Sequence, residues 1–171
     1  TEHNPAGLGP NAEAILERCD RIVSKMHFNA CEDGLVQWLR TPGHAAPTDV
    51  VIAGCETHVC LMQTAHGLQR AGYHVWVAAN ACGTRHPVDH DLALGRLRQS
   101  GAVLASVEMV AFEWLRGCGH PRFREVLEHA ALGGHLRGSK GGLPAMLHLE
   151  RDEAARLLAE AARQVERVGL K

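Results

Sequence analysis

Residues 49–60 read DVVIAGCETHVC, an apolar, β-branched run that ends in glycine and is followed at once by a polar turn and a second cysteine. Val50 to Ala53 has the length and side chains of a buried parallel strand, and Gly54 marks the turn through which it leaves the sheet. A helix is expected next. Thr57 is a candidate N-cap, and Leu61, Ala65 and Leu68 follow at helical spacing on one face. Cys60 then falls in the first turn, where unpaired N–H groups and the positive end of the helix dipole favour the thiolate, the reactive form of cysteine. The same sharp turn offers backbone N–H groups to a developing oxyanion. Spacing alone leaves a second reading open, in which Cys60 is a small core residue of a buried helix.

Outward from this stretch the chain alternates. Toward the amino terminus, Thr1 to Pro10 reads as a Gly/Pro-rich loop, Asn11 to Arg18 as a short helix, Arg21 to Met26 as a strand and Cys31 to Arg40 as a second short helix. A Pro/Gly-rich connection, Thr41 to Pro47, leads into the Val50 strand. The helix carrying Cys60 stops at Ala71-Gly72. Strand His74 to Ala79, polar loop Asn80 to Pro87, helix Val88 to Ser100, strand Ala102 to Ser106, and helices Glu108 to Arg116 and Pro121 to His129 complete the rhythm. Repeated strand-helix-strand units imply an α/β fold, a parallel sheet covered by helices on both faces, with ligands at the carboxyl ends of the strands.

Composition narrows the class. A chain of 171 residues with 46% hydrophobic content and few aromatics can build one domain with a real core. A formal net charge of −1 gives no electrostatic footprint for nucleic acid or an anionic membrane, so neither is expected as a partner. No apolar run approaches the ~20 residues of a membrane span, and TEHNPAGLGP lacks the regions of a signal peptide, so a cytoplasmic location is expected. The six cysteines, at positions 19, 31, 55, 60, 82 and 118, show no CxxC pairing and read as free thiols. GLG at residues 7–9 follows no strand, so it is not a phosphate-binding motif.

GCETHVC (54–60), TAHGLQRAGYHVWVAANACGTR (64–85) and ALGRLRQSGAVLASVEMVAFEWL (93–115) together resemble the isochorismatase-like cysteine hydrolase superfamily, which includes the nicotinamidase-related proteins. The likeness covers roughly Thr1 to His129. It implies a three-layer α/β/α, Rossmann-like fold and hydrolysis of a C–N bond in a small amide or related acyl compound, without a cofactor, by an Asp, Lys and Cys triad. The nucleophile of that triad matches Cys60, and its lysine, found in a K-x-x-F context, matches Lys25 of Lys25-Met26-His27-Phe28. The resemblance further implies an oxyanion site made by the backbone N–H groups of Glu56 and Cys60, reached through a cis peptide between Cys55 and Glu56. Phe28, Thr57, His58 and Arg85 are the implied substrate-lining residues, and a homo-oligomer is implied. A lysine ammonium beside a thiol favours the thiolate, and a neighbouring carboxylate can take the thiol proton and pass it to the leaving amine. Isochorismate itself fits less well, because cleaving its vinyl ether calls for an acid.

One departure weighs against the agreements. The family's catalytic Asp lies on a first strand, in an Asp-x-Gln pattern, and Thr1 aligns with the end of the second strand, so the first two strands have no counterpart from Thr1 on. In the family these strands lie between the ones matching Arg21 to Met26 and Val50 to Ala53, so a sheet with exposed strand edges and a reduced core, poorly stable alone, is expected. Three readings stay open: a fragment of a longer enzyme, a catalytically silent assembly or binding protein, and a replacement supplied from the carboxyl end. The domain is expected over residues 1–131, a Gly-rich linker over 132–143 and an extension over 144–171. Within that extension Pro144 to Leu149 could form a strand and Arg151 to Val168 an amphipathic helix, placing Glu150 or Asp152 near a strand end. His3, His27, His44 and His58 raise the question of a metal, but the Asp-x-His pattern of metal-binding relatives is not visible and no metal is expected. Asp89 and Asp91 read as carboxylates at the amino end of the following helix.

Overall fold

The amino-terminal stretch read above as a loop holds two short elements. In the computed structural model, which describes residues 1–40 and 48–133, Glu2–His3 (β1) pairs in parallel with Ser24–Lys25 (β2), Glu2 opposite Ser24 and His3 opposite Lys25. Helix α1 (Pro5–Leu8) follows β1, with proline at a position where a missing N–H costs no hydrogen bond. Helix α2 (Glu13–Leu16) is a single turn and not the longer segment expected over 11–18. Strand β2 is likewise shorter than the expected 21–26, because β1 offers it only a two-residue partner. A 3₁₀ turn, Ala30–Asp33, and helix α3 (Leu35–Leu39) replace the single helix expected over 31–40, the break falling at Gly34.

The second half of the chain builds the main sheet. Strand β3 (Asp49–Cys55) runs into a π-turn, Thr57–Leu61, and helix α4 (Met62–Arg70). Strand β4 (His74–Gly83), helix α5 (Pro87–Gln99), strand β5 (Val103–Ala105), helix α6 (Val107–Leu115) and helix α7 (Phe123–Gly133) follow. The order is β3-β4-β5, all parallel, with Val50 opposite Val75 and Val77 opposite Leu104. Residues 80–83, expected in a loop, extend β4, because Cys82 and Gly83 pair with Gly54 and Cys55 after a register shift. Gly54 takes a φ of +126° at that irregularity, a conformation that a residue with a Cβ adopts only under strain. Helix α7 ends later than the expected His129 and enters the first two positions of the expected linker. The connection 41–47, His44 with it, the rest of the linker and the extension over 144–171 lie outside the described residues.

The alternation of β4 sorts the two faces of the sheet. Val75 and Val77 point to one face and join Leu61, Met62, Ala65 and Leu68 with Ala93 and Leu97 of α5 in the main core cluster. Ala78, one step out of phase, points to the other, and α6 packs against β4 with Val107 and Val110 buried. Helices thus cover both faces, as expected. The expected apolar face of the Cys60 helix is confirmed, with Ala65 and Leu68 at 0% exposure. Among the described residues no ladder joins β2 to β3, so the strands form two separate sheets.

What holds the β2 side to the main sheet is a docking of residues 28–31 on α4. Thr64 accepts the N–H of Ala30 on its hydroxyl (3.1 Å) and donates to the Phe28 carbonyl (3.3 Å). One turn on, Gly67 makes room for the buried Asn29 amide, which a Cβ at that position would overlap. Asn29 is already committed: its Oδ1 caps the 3₁₀ turn by accepting from Cys31 N (3.1 Å) and its Nδ2 donates to Glu32 (3.0 Å).

Two outcomes follow from this packing. Gly67→Ala should lower unfolding stability by about 1–3 kcal/mol through overpacking, whereas Gly95→Ala in α5, where nothing lies near the added Cβ, should raise it by about 0.5–1 kcal/mol; urea titrations of the two variants check both signs. Burial pushes the Cys82 thiol up to about 12, so iodoacetamide labelling of the folded protein, resolved by mass spectrometry from pH 7 to pH 10, should leave Cys82 unmodified while the exposed Cys19 and Cys118 react.

Candidate active site

The carboxyl end of β3 delivers the chain into the site. The Cys55–Glu56 peptide is cis, as the resemblance implied. Beyond it the Glu56 carbonyl accepts from Val59 N (3.1 Å) and from Leu61 N (3.2 Å). In a regular α-helix the partner of that carbonyl would be the N–H of Cys60, four residues on; here the bond is made five residues on instead. The π-turn therefore displaces Cys60 from the ladder at the start of α4. Cys60 is half-buried in this turn.

Lys25 reaches the site from β2. It is 4% exposed, and a buried ammonium is tolerated only when hydrogen-bonded. Its Nζ donates to the carbonyls of His27 (3.1 Å) and Phe28 (3.0 Å), which leaves one of its three donors uncommitted by these two bonds. The Phe28 carbonyl is the same one that Thr64 reaches from α4, one helical turn after Cys60. The shared acceptor thus ties Lys25 to α4, the helix that follows Cys60, although β2 and β3 belong to different sheets. Asp33 fixes the strap between them, accepting from His27 N (3.0 Å) and facing His27 Nδ1 (3.2 Å).

A second group surrounds Glu56. Its carboxylate accepts from Arg85 N (3.1 Å) and lies 3.6 Å from Arg85 Nε and 3.8 Å from His58 Nδ1. His58 Nε2 in turn lies 3.9 Å from Asp89, which sits in the first turn of α5 where a carboxylate complements the helix dipole. The Glu56 side chain therefore anchors the turn, and Arg85, 72% exposed, pairs with it at a solvent-screened edge.

The candidate residues take different positions. Glu56, His58 and Cys60 lie in the turn at the exit of β3, Lys25 is tied to the Phe28 carbonyl that Thr64 of α4 also reaches, and Phe28 is 47% exposed with its ring centroid 5.1 Å from that of His3. Thr57 departs from both of its expected roles. It is fully buried, and its hydroxyl is held by Gly83 O and His90 Nδ1, so it neither caps α4 nor faces a ligand; the residue preceding the turn is Glu56. The described histidines of the metal question are dispersed, His3 on Phe28, His27 on Asp33 and His58 between Glu56 and Asp89. Sequence reasoning missed Asn29, Thr64, Gly67 and His90. Asn29, just before an acidic turn, carried a capping signal; the other three act over long sequence separations that leave no local mark.

Comparison with known proteins gives the family. The Isochorismatase domain model matches residues 5–109. Isochorismatase domain-containing protein 2A of Mus musculus is 37% identical over 128 residues, covering 74% of this chain and 60% of that protein. Isochorismatase domain-containing protein 2 of Xenopus laevis is 36% identical over 126 residues, with the same coverage of 74% and 60%. The chain spans about three-fifths of the length of these curated relatives. Among solved structures, the MAR1 ribonuclease of Caenorhabditis elegans superposes with a TM-score of 0.69 at 28% identity, over 85% of this chain and 73% of that one. An isochorismatase-like hydrolase from Alkaliphilus metalliredigens shares the fold at a TM-score of 0.51 and 21% identity, over 61% of this chain and 53% of that one. With the parallel sheet and the matched span in agreement, this chain belongs to the isochorismatase family.

Proposed function

We propose that the protein is a cysteine hydrolase that cleaves the C–N bond of a small amide or related acyl compound through a thioester on Cys60. The observation that carries this reading is the π-turn: it takes the Glu56 carbonyl to Leu61 and sets Cys60 in the turn at the exit of β3. Lys25 supplies the positive charge that favours the thiolate, and the strap held by Thr64 keeps it there.

In the reaction Cys60 Sγ attacks the carbonyl carbon, and the N–H groups of the turn, those of Glu56 and Cys60, receive the oxyanion. Collapse of the tetrahedral species breaks the C–N bond, and the amine leaves with the proton that the thiol gave up. Water then attacks the thioester, the acid departs and the thiol is restored. For the proton relay the family resemblance implies an Asp carboxylate; a silent assembly or binding protein of the same fold is the second reading. The structural neighbour named a ribonuclease suggests RNA as a substrate class, but a net charge of −1 gives no support for a polyanion. A small molecule handled by a cytoplasmic homo-oligomer remains our reading.

A screen of small primary amides and activated esters against wild-type, Cys60→Ser and Lys25→Met proteins tests it. Turnover should vanish in Cys60→Ser and fall by about 10²–10³-fold in Lys25→Met, the range found when one stabilising donor is removed. Equal turnover in all three proteins would favour the silent reading.

A further inference from the structure

Thr57 is fully buried next to the cis peptide, and the chemistry proposed above does not use its side chain. Its hydroxyl lies 3.1 Å from the carbonyl oxygen of Gly83, at the end of β4, and 3.1 Å from Nδ1 of His90, on the first turns of α5. A threonine hydroxyl has one proton to give and lone pairs to accept with. The Gly83 carbonyl can only accept. Were the proton turned toward His90, two oxygen atoms would face each other at the observed separation with nothing between them, an unpaired contact in a buried place. The proton therefore belongs on the Gly83 side, and the hydrogen bond to His90 must run the other way, from Nδ1–H into the remaining lone pair of Thr57.

We infer that His90 is a positioning residue for the oxyanion turn, held with its proton on Nδ1 so that it donates to Thr57. Thr57 opens the turn in which Glu56 and Cys60 present their backbone, and it has no other hydrogen-bonded tether of its side chain among the described residues than Gly83 and His90. Through it, α5 and the end of β4 set the place of the turn. The His58–Asp89 approach at 3.9 Å is a second link between the same turn and the same helix, too long for a hydrogen bond and therefore less directional. An imidazole free in water carries its proton preferentially on Nε2, so the inferred tautomer is a departure that can be read directly. The catalytic consequence rests on the proposed hydrolase reading; the tautomer does not.

The test has two arms on the full chain. In ¹⁵N-histidine-labelled protein at pH 9, the imidazole nitrogens of His90, assigned by their loss in His90→Asn, should show a protonated Nδ1 and an unprotonated Nε2, reverting toward Nε2–H in Thr57→Val. A protonated Nε2 in the wild type overturns the inference. In the kinetic arm, with p-nitrophenyl acetate as probe, His90→Leu should lower kcat about 10-fold with little change in KM, and His90→Asn, whose amide places a donor near Nδ1, should restore most of it. Alkylation of Cys60 by iodoacetamide passes through no oxyanion, so its rate should stay the same in both variants. A parallel loss of alkylation, or failure of the asparagine to rescue, shows a general structural role and overturns positioning. If Cys60→Ser turns over the probe as fast as wild type, the hydrolase reading fails, and the tautomer still decides the matter of His90.

Discussion

The carbonyl oxygen of Phe28 accepts two hydrogen bonds, one from the buried Lys25 ammonium and one from the Thr64 hydroxyl on α4. No strand ladder joins the two sheets among the described residues, so this bifurcated acceptor does what a shared sheet would otherwise do. It fixes a cation contributed by one sheet relative to a helix that grows from the other. Burying Lys25 would be costly if its donors were unpaired, and the two carbonyls of the strap, those of His27 and Phe28, offset that cost. The strap is held from behind by Asp33 and by the Asn29 cap, so a segment with exposed Met26 and Phe28 side chains still has a defined backbone.

Parts of this arrangement are written in local sequence. The β-branched run at Val50 to Ile52 and the spacing of Leu61, Ala65 and Leu68 obey single-element rules, since each reflects burial against one neighbouring layer. The family-specific turn around Cys60, with its cis peptide, was legible through resemblance. What stayed hidden depends on partners far along the chain. The π-turn requires the Glu56 carbonyl to prefer Leu61, and nothing in ETHVC distinguishes that from an α-helical start. Thr57 has the composition of a cap, yet a carbonyl from β4 and an imidazole from α5 outbid the helix end for its hydroxyl. The extension of β4 over 80–83 has a polar, loop-like composition and exists because β3 continues far enough to pair with it.

The turn and the strap use different means of fixation. Around Thr57, whose side chain is buried, the contacts are short hydrogen bonds at 3.1 Å and therefore directional. Around Glu56 the groups are charged and partly exposed, so Arg85 and His58 add a softer attraction that solvent screens.

The fit of Asn29 against Gly67 has a consequence for helix α4 as a whole. Thr64 and Gly67 lie on one stripe, three residues apart, and both are engaged by the same segment. A hydrogen bond and a steric notch on one stripe fix the azimuth of the helix about its own axis as well as its distance from the strap. With side chains about 5 Å from that axis, a rotation of only ~10° would carry a sulfur atom roughly 1 Å sideways, a displacement that can cost about 10²-fold in rate. A missing side chain at position 67 thus serves as an angular stop for Cys60, the proposed nucleophile, nearly two turns away.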